Sequence, residues 1–332
     1  SSAMAAVFVN ASSSSTFSVV LASNSAGTAL KLTDAAYNTF DRSTANATVN
    51  GDCSLCFNSS AWNTVSRSYI DNTDGYGLAL WSGSNYNTVT DSTATTRSVS
   101  YAAFLVGGSS NSVARVMADN SGWAMSVDGD WNFVSASTMT ADFSGSSALY
   151  IGGDHNTVTG GYVGNPSGPG AWLDSGADYN TLAQSTMTSG ANAYFALRLN
   201  GASSNTLTGC MVDNTMGNAL GLEAGSANNL ITLTTMTASN FNRAALFFDG
   251  APDNAVTYSY IASQAGVGAY ISNLSHRTAL LNSTFTALSA SYRALLLDNV
   301  NDSSIRASRI DNPSGSALEI YGVRDVVALS SI

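Results

Sequence analysis

An asparagine followed two places later by an apolar residue recurs along this chain every two dozen residues. Asn38, Asn63, Asn87, Asn111, Asn132, Asn156, Asn180, Asn205, Asn229 and Asn254 open the clear copies, at intervals of 25, 24, 24, 21, 24, 24, 25, 24 and 25 residues. Weaker copies follow at Thr278, Ser303 and Asp325, and one precedes them near Ser14. A fixed period of this size marks a solenoid or array, whose repeats bury their apolar faces only against one another. No other property of the sequence narrows the accessible folds as far.

With the Asn as position 0, apolar residues fall at +2 and again at +7, as in Val158, Leu182 and Leu207 and in Met187 and Ile261. A third apolar stretch lies five to eight residues before the Asn, for example Ala29-Leu30-Lys31-Leu32 and Leu246-Phe247-Phe248. These short runs are bounded by Gly, Ser, Asn and Asp, and no 3.6-residue periodicity persists, so they read as strands rather than helices. The inward parity changes between +2 and +7, which requires a bend there. Three short strands per coil describe an all-β, three-sided parallel β-helix. Stacking then brings each Asn about 4.8 Å from the next, close enough for an amide ladder.

Alternate coils differ. Position +8 reads Asn46, Asp71, Thr95, Asp119, Thr140, Gly164, Thr188, Asp213, Thr237, Ala262, Thr286, Asp311. The underlying unit is therefore two coils long. Stretches of the type Asp213-Asn214-Thr215-Met216-Gly217-Asn218-Ala219-Leu220 and Asp311-Asn312-Pro313-Ser314-Gly315-Ser316-Ala317-Leu318 carry a resemblance to the right-handed parallel β-helix repeat family, of the pectin-lyase-like and NosD/CASH type. The resemblance covers essentially the whole chain and implies the right-handed hand of the coil. It implies little about activity, because enzymes, adhesins and structural proteins share the architecture.

The 332 residues correspond to one domain, 1–332, of about 14 coils. No helical or irregular cap is evident at either end, and the register of the first and last coils is compatible. The expectation is a segment of a longer solenoid, or copies that stack end to end. Only 10% of residues are charged, the net charge is −10, and Lys31 is the single lysine. That balance excludes nucleic acid and anionic membrane surfaces as partners. No apolar run is long enough to span a bilayer. Abundant Ser, Thr, Asn and Gly suit an extracellular or cell-surface setting.

Candidate sites are few. Cys53 and Cys56 read either as small buried residues or as partners in a local or interchain disulfide; Cys210 lies too far along the chain to pair with them. No cysteine or histidine set has metal-ligand spacing, so no metal or cofactor is expected. His155 and His276 lie five coils apart and read as single surface residues. Arg42, Arg67, Asp91 and Arg115 all occupy +4 of successive coils, which makes them one stripe with Asp91 between two arginines. Such a stripe is an ionic ladder or, because guanidinium matches carboxylate, a strip for an acidic glycan. The near-constant coil length leaves no insertion to build a cleft. The leading expectation is a noncatalytic structural or adhesive solenoid, a self-associating subunit of a sheath, fibre or coat. The rival is a carbohydrate-binding or polysaccharide-lyase-like β-helix acting on acidic glycans through the arginine stripe.

Overall fold

The structure is a computed structural model describing residues 4–328 and 330–332. Contacts group the chain into two units, residues 1–163 and 164–332. Every regular element in them is a strand of three to seven residues, and the described residues contain no helix. The architecture is the all-β parallel solenoid that the repeat implies.

In the first unit, one sheet is laid down by Val7–Asn10, Leu30–Thr33, Cys53–Asn58, Tyr76–Leu80, Phe104–Val106, Met125–Val127 and Leu149–Ile151, in that order. A second takes Thr16–Ser18, Thr39–Asp41, Thr64–Ser66, Thr88–Thr90, Ser112–Ala114, Phe133–Ser135 and Thr157–Thr159. The third runs from Leu21–Asn24 through Thr44–Ala47, Tyr69–Asn72, Thr93–Thr96 and Met117–Asn120 to Thr138–Ala141. Each coil thus contributes one strand to each sheet. The second unit repeats the plan, with its first sheet running from Ala171–Leu173 to Leu318–Val323, its second from Thr181–Ala183 to Val326–Ala328, and its third from Thr186–Ser189 to Arg309–Asp311.

The apolar positions meet in register. Leu182 pairs with Leu207 and Leu207 with Ile231; Met187 pairs with Val212, Val212 with Met236 and Met236 with Ile261. All are buried, as is Val158 in the first unit. The bend required between +2 and +7 is a single residue at +4 in the left-handed conformation, with φ near 50° at Arg42, Arg67, Asp91 and Arg115. A second left-handed residue at −1 turns the chain from the first sheet into the second, with φ of 57–59° at Tyr37, Trp62, Tyr86, Ser110, Trp131 and His155. Non-glycine residues hold this conformation at a cost of about 1–2 kcal/mol each. They persist because neighbouring coils over-determine the backbone: the Trp62 N–H still donates to Asn85 O at 3.1 Å, and the Arg42 N–H to Ser66 O at 3.0 Å.

Polar ladders line the inside of both corners. At position 0 the backbone N–H of Asn38 donates to Asn63 Oδ1, that of Asn63 to Asn87 Oδ1 and that of Asn87 to Asn111 Oδ1, each at 2.8 Å. The second unit repeats this from Asn180 to Asn205, Asn229 and Asn254 at 2.7–2.8 Å. Amide-to-amide contacts such as Asn38 Nδ2 to Asn63 Oδ1 are longer, at 3.1 Å. The main link is therefore backbone to side chain, which explains the preference for Asn: its oxygen serves the neighbouring coil while its Nδ2 closes its own corner, as on Ala61 O from Asn63. Position +5 carries a serine ladder of the same form, with Ser43 N on Ser68 Oγ and Ser68 N on Ser92 Oγ, both at 3.1 Å.

The two-coil period also has a physical cause. At +8, Thr95 Oγ1 donates to Asp71 Oδ1 at 2.5 Å, and Thr140 does the same to Asp119 and Thr237 to Asp213. Carboxylates on successive rungs would repel at about 4.8 Å, so aspartate on every second rung with a threonine donor between satisfies the row. The following residue closes the third corner in the aspartate coils. Asn72 Nδ2 donates to Asp52 O and Tyr76 O, and Asn214 Nδ2 to Tyr194 O and Asn218 O.

Candidate functional site

The second sheet of the first unit presents outward residues at +1 and +3, flanked by the two left-handed corners. Arg42, Arg67, Asp91 and Arg115 occupy the +4 corner on consecutive coils. Their backbone N–H groups donate to Ser66 O, Thr90 O, Ala114 O and Ser135 O, so the four form one row. Arg115 grips Asp91 with two parallel bonds, Nε to Oδ1 at 2.6 Å and Nη2 to Oδ2 at 2.8 Å. This pair lowers the Asp91 pKa and raises that of Arg115.

Arg67 turns the other way. Its Nε and Nη2 donate to Asp41 Oδ1 at 2.8 and 2.6 Å, while Arg42 Nε donates to Asp41 Oδ2 at 3.0 Å. Ser66 Oγ adds a bond to Asp41 Oδ1 at 2.8 Å. The Ser66 hydroxyl, then Arg67, then Arg42 hold the Asp41 carboxyl down at about 2, against a smaller opposing effect of burial. Asp41 is 8% exposed, whereas the side chains of Arg42 and Arg67 are about 60% exposed. A covered carboxylate thus fixes the base of two guanidinium groups that face solvent. Asp41 escaped the sequence reading because +3 elsewhere in this unit holds Ser66, Thr90, Ala114, Ser135 and Thr159, a row with no repeating charge.

The opposite corner carries a feature with a plain sequence signal, the residue just before each Asn anchor. Tyr37, Trp62 and Tyr86 form one column: Tyr37 and Trp62 are 6.3 Å apart at 11°, and Trp62 and Tyr86 are 4.4 Å apart at 9°. Trp131 and His155 form another, at 4.0 Å and 15°. Half or more of the surface of Tyr37, Trp62 and Trp131 remains exposed, and nearly half of Tyr86. His155, expected to be a solitary surface residue, is a member of this column.

Between the two columns the −1 position is Ser110. One face of Tyr86 is covered by Trp62 and one face of Trp131 by His155; the other faces look toward the Ser110 rung. Two rungs separate Tyr86 from Trp131, roughly 9.6 Å, which admits one ring in van der Waals contact with both. The rim is polar. Ser110 N donates to Asp130 O at 2.9 Å, Asp130 N to Ser109 Oγ at 3.2 Å, and Ser109 N to Asn85 Oδ1 at 2.7 Å. From this slot to the arginine row the strand spans five residues, about 16 Å, and is surfaced by the hydroxyls of Thr64, Ser66, Thr88, Thr90 and Ser112.

The remaining candidates lie elsewhere. Cys53 and Cys56 form a disulfide with Cα atoms 5.5 Å apart, on the outer side of the first sheet. Both are fully buried beneath Tyr76 and Trp81. Among the described residues, Asp52, Cys53 and Cys56 are the one group of three potential metal ligands within reach of each other, and the disulfide leaves it no thiolate. Cys210 is a buried free thiol in the second unit, 3.4 Å from Leu182 O. His276 Nδ1 accepts from the Asn301 N–H at 2.9 Å. Among the described residues no helix is long and apolar enough to cross a membrane.

Comparison with known proteins agrees with the fold. A family model described as the right handed beta helix region matches residues 1–94 and 123–285. No curated protein sequence matches the chain. Among solved structures, the A-module of the Azotobacter vinelandii mannuronan C-5 epimerase AlgE6 is similar, with 11% identity, a TM-score of 0.66, and coverage of 98% of this chain and 90% of that one. The tailspike protein of E. coli bacteriophage HK620, solved in complex with a pentasaccharide, is also similar, with 11% identity, a TM-score of 0.63, and coverage of 94% of this chain and 70% of that one. At such identities the likeness concerns the fold.

Proposed function

This chain belongs to the right-handed β-helix family, and from that premise we propose that it is a glycan-binding solenoid whose second-sheet face in residues 37–155 holds a carboxylate-bearing polysaccharide. The observation that carries the reading is the interrupted aromatic column. An unbroken column would offer only ring edges, whereas the Ser110 gap exposes two ring faces at a separation suited to one pyranose. The arginine row supplies the charge preference: Arg42 uses only Nε on Asp41, and its Nη groups have no partner among the described residues. That two fold neighbours are a mannuronan epimerase and a pentasaccharide-bound tailspike is in keeping with this class of ligand.

The reading is binding rather than turnover. A general acid needs a carboxyl that holds its proton near neutral pH, and the two carboxylates of the arginine row, Asp41 at about 2 and Asp91, also lowered, are tuned the opposite way. The lyase alternative needs an arginine that gives up its proton, yet Arg115 is shifted upward by Asp91. Regular coils without long insertions leave this face flat and open, which suits an adhesive module; its display outside the cell is part of the same proposal and rests on the Ser-, Thr-, Asn- and Gly-rich composition. Sedimentation velocity across a range of concentrations reads whether copies also associate into a fibre or coat.

The test is a glycan array followed by calorimetry on the best ligand. Binding to uronate-containing oligosaccharides is expected, weakened at least tenfold by Trp131→Ala. Ser110→Tyr should abolish it with the fold intact, because it completes the column at a backbone position where Tyr86 and Trp131 already sit with the same φ. Binding that survives Ser110→Tyr undiminished would refute the assignment.

A further inference from the structure

A second interruption of the repeat, in the other unit, opens a pocket. In the third sheet the +8 row runs Asp213, Thr237, Ala262, Thr286, Asp311, each in register with the next. Coils of this kind place aspartate and then asparagine at +8 and +9, as in Asp71-Asn72, Asp119-Asn120, Asp213-Asn214 and Asp311-Asn312; Gly164-Asn165 loses the first of the two, and Ala262-Ser263 loses both. The hydrogen bonding changes accordingly. Thr95, Thr140 and Thr237 each donate to the aspartate one coil earlier. Thr286 finds Ala262 there, and its hydroxyl reaches only Ile261 O at 3.5 Å, the outer limit for such a bond.

Ala262 lines a depression of about 340 Å³ that this break in the row leaves without a carboxylate at its centre, within the range of small-ligand sites. Ala262 forms its floor. Tyr260, Leu288 and Pro313 supply apolar walls, and Thr286, Gln264 and Asp311 supply polar ones. Tyr260 is about half exposed, so its ring is available to the cavity. The Asp311 carboxylate is held by Arg309 Nη2 at 2.7 Å and remains part-exposed at the rim. The site therefore offers a ring wall, an under-used hydroxyl, an amide and an anionic acceptor. That set suits a compact polyhydroxylated molecule with an apolar face and no negative charge.

The geometry points to Ala262 as the floor of a binding site for a single uncharged pyranose, such as a chain end or side branch of a glycan. This site is separate from the aromatic slot and opposite to it in charge preference. Its ring would lie against Tyr260, with hydroxyls taking the Thr286 and Gln264 groups and donating to Asp311. Asp311 is the one charged side chain lining the depression and disfavours an acidic sugar there, although Arg309 offsets part of its charge, in contrast to the arginine-lined face of the first unit.

The experiment is a titration of the alanine-methyl-labelled chain with methyl β-glucopyranoside, methyl β-galactopyranoside and methyl β-glucuronide, read by methyl NMR. The Ala262 methyl should shift with at least one neutral glycoside and stay unmoved with the glucuronide. Ala262→Asp restores the row and returns an acceptor to Thr286, so it should weaken neutral-glycoside binding at least tenfold while leaving the melting temperature equal or higher. Thr286→Val, nearly isosteric, should weaken binding severalfold and guards against a folding defect in the first variant. Ser110→Tyr should leave these shifts unchanged, so failure of the aromatic slot and failure of this pocket are read apart. No response at Ala262 to any neutral glycoside, a stronger response to the glucuronide, or undiminished binding by a folded Ala262→Asp chain would overturn the assignment.

Discussion

Replacing Asn63 by alanine should show how strongly the inner ladder holds the coils together. Asn63 is 1% exposed. Its Oδ1 accepts the Asn38 N–H at 2.8 Å and Asn38 Nδ2 at 3.1 Å, and its Nδ2 donates to Ala35 O and Ala61 O at 3.0 Å. Asn38 Nδ2 keeps partners in Ser12 O and Ala36 O, so it is not stranded. The Asn38 N–H loses its acceptor inside a buried corner, which costs about 1–3 kcal/mol. The two carbonyl bonds add about 1 kcal/mol each. The expected destabilisation is therefore about 3–5 kcal/mol, against under about 0.5 kcal/mol for the outward Thr64→Ala control. Urea unfolding followed by tryptophan fluorescence gives the total, and hydrogen exchange at the Asn38 amide gives its location. A loss below about 1 kcal/mol with Asn38 still protected would show that the ladder is ornamental and that strand pairing alone sets the register.

Other perturbations separate the remaining parts of the account. Leu207→Asp places a charge between Leu182 and Ile231 and should cost several kcal/mol, with faster hydrogen exchange confined to the adjoining coils of a nearest-neighbour array; uniformly slow exchange around the mutation would contradict the core assignment. The Cys53–Cys56 bond closes a loop with two residues between, so replacing both cysteines by alanine should remove no more than about 2 kcal/mol; a much larger drop in melting temperature would mean the pair holds more than its own strand. Asp41 is depressed from 3.8 to about 2, so its stabilising effect is complete above 3.8 and is lost as pH falls through about 2. Arg67→Ala should bring its midpoint back toward 3.8 in a carboxyl-carbon NMR titration, and a midpoint left at about 2 would mean that Ser66 and Arg42 suffice.

The architecture was legible because a solenoid writes one structural event into the sequence many times. Position 0 repeats as Asn and the +2 and +7 positions repeat as apolar residues, so chance alternatives average out over the copies. The bend was legible as a change of parity, but not its left-handed residue, since Arg42, Asp91 and Tyr258 share a conformation and no chemistry. The serine ladder at +5 passed unnoticed because serine is common throughout the chain. The sites proposed above were harder for the opposite reason: each lies where a row is interrupted. Ser110 and Ala262 are unremarkable residues that acquire meaning only beside Tyr86 and Trp131, or between Thr237 and Thr286. Asp41 likewise reads as a stray charge until coil stacking brings Arg67 onto it. The arginine stripe was visible as a row, yet the sequence paired Asp91 with both neighbours, whereas side-chain reach gives Asp91 to Arg115 and leaves Arg67 to Asp41.

The most direct test of the functional account is a crystal structure of the chain with the best oligosaccharide from the array. One saccharide ring should lie between Tyr86 and Trp131, over Ser110 and roughly parallel to both aromatic planes, with a carboxylate of the same chain directed to the Arg42 and Arg67 row. A saccharide bound on another face while the Ser110 slot stays clear would contradict the assignment.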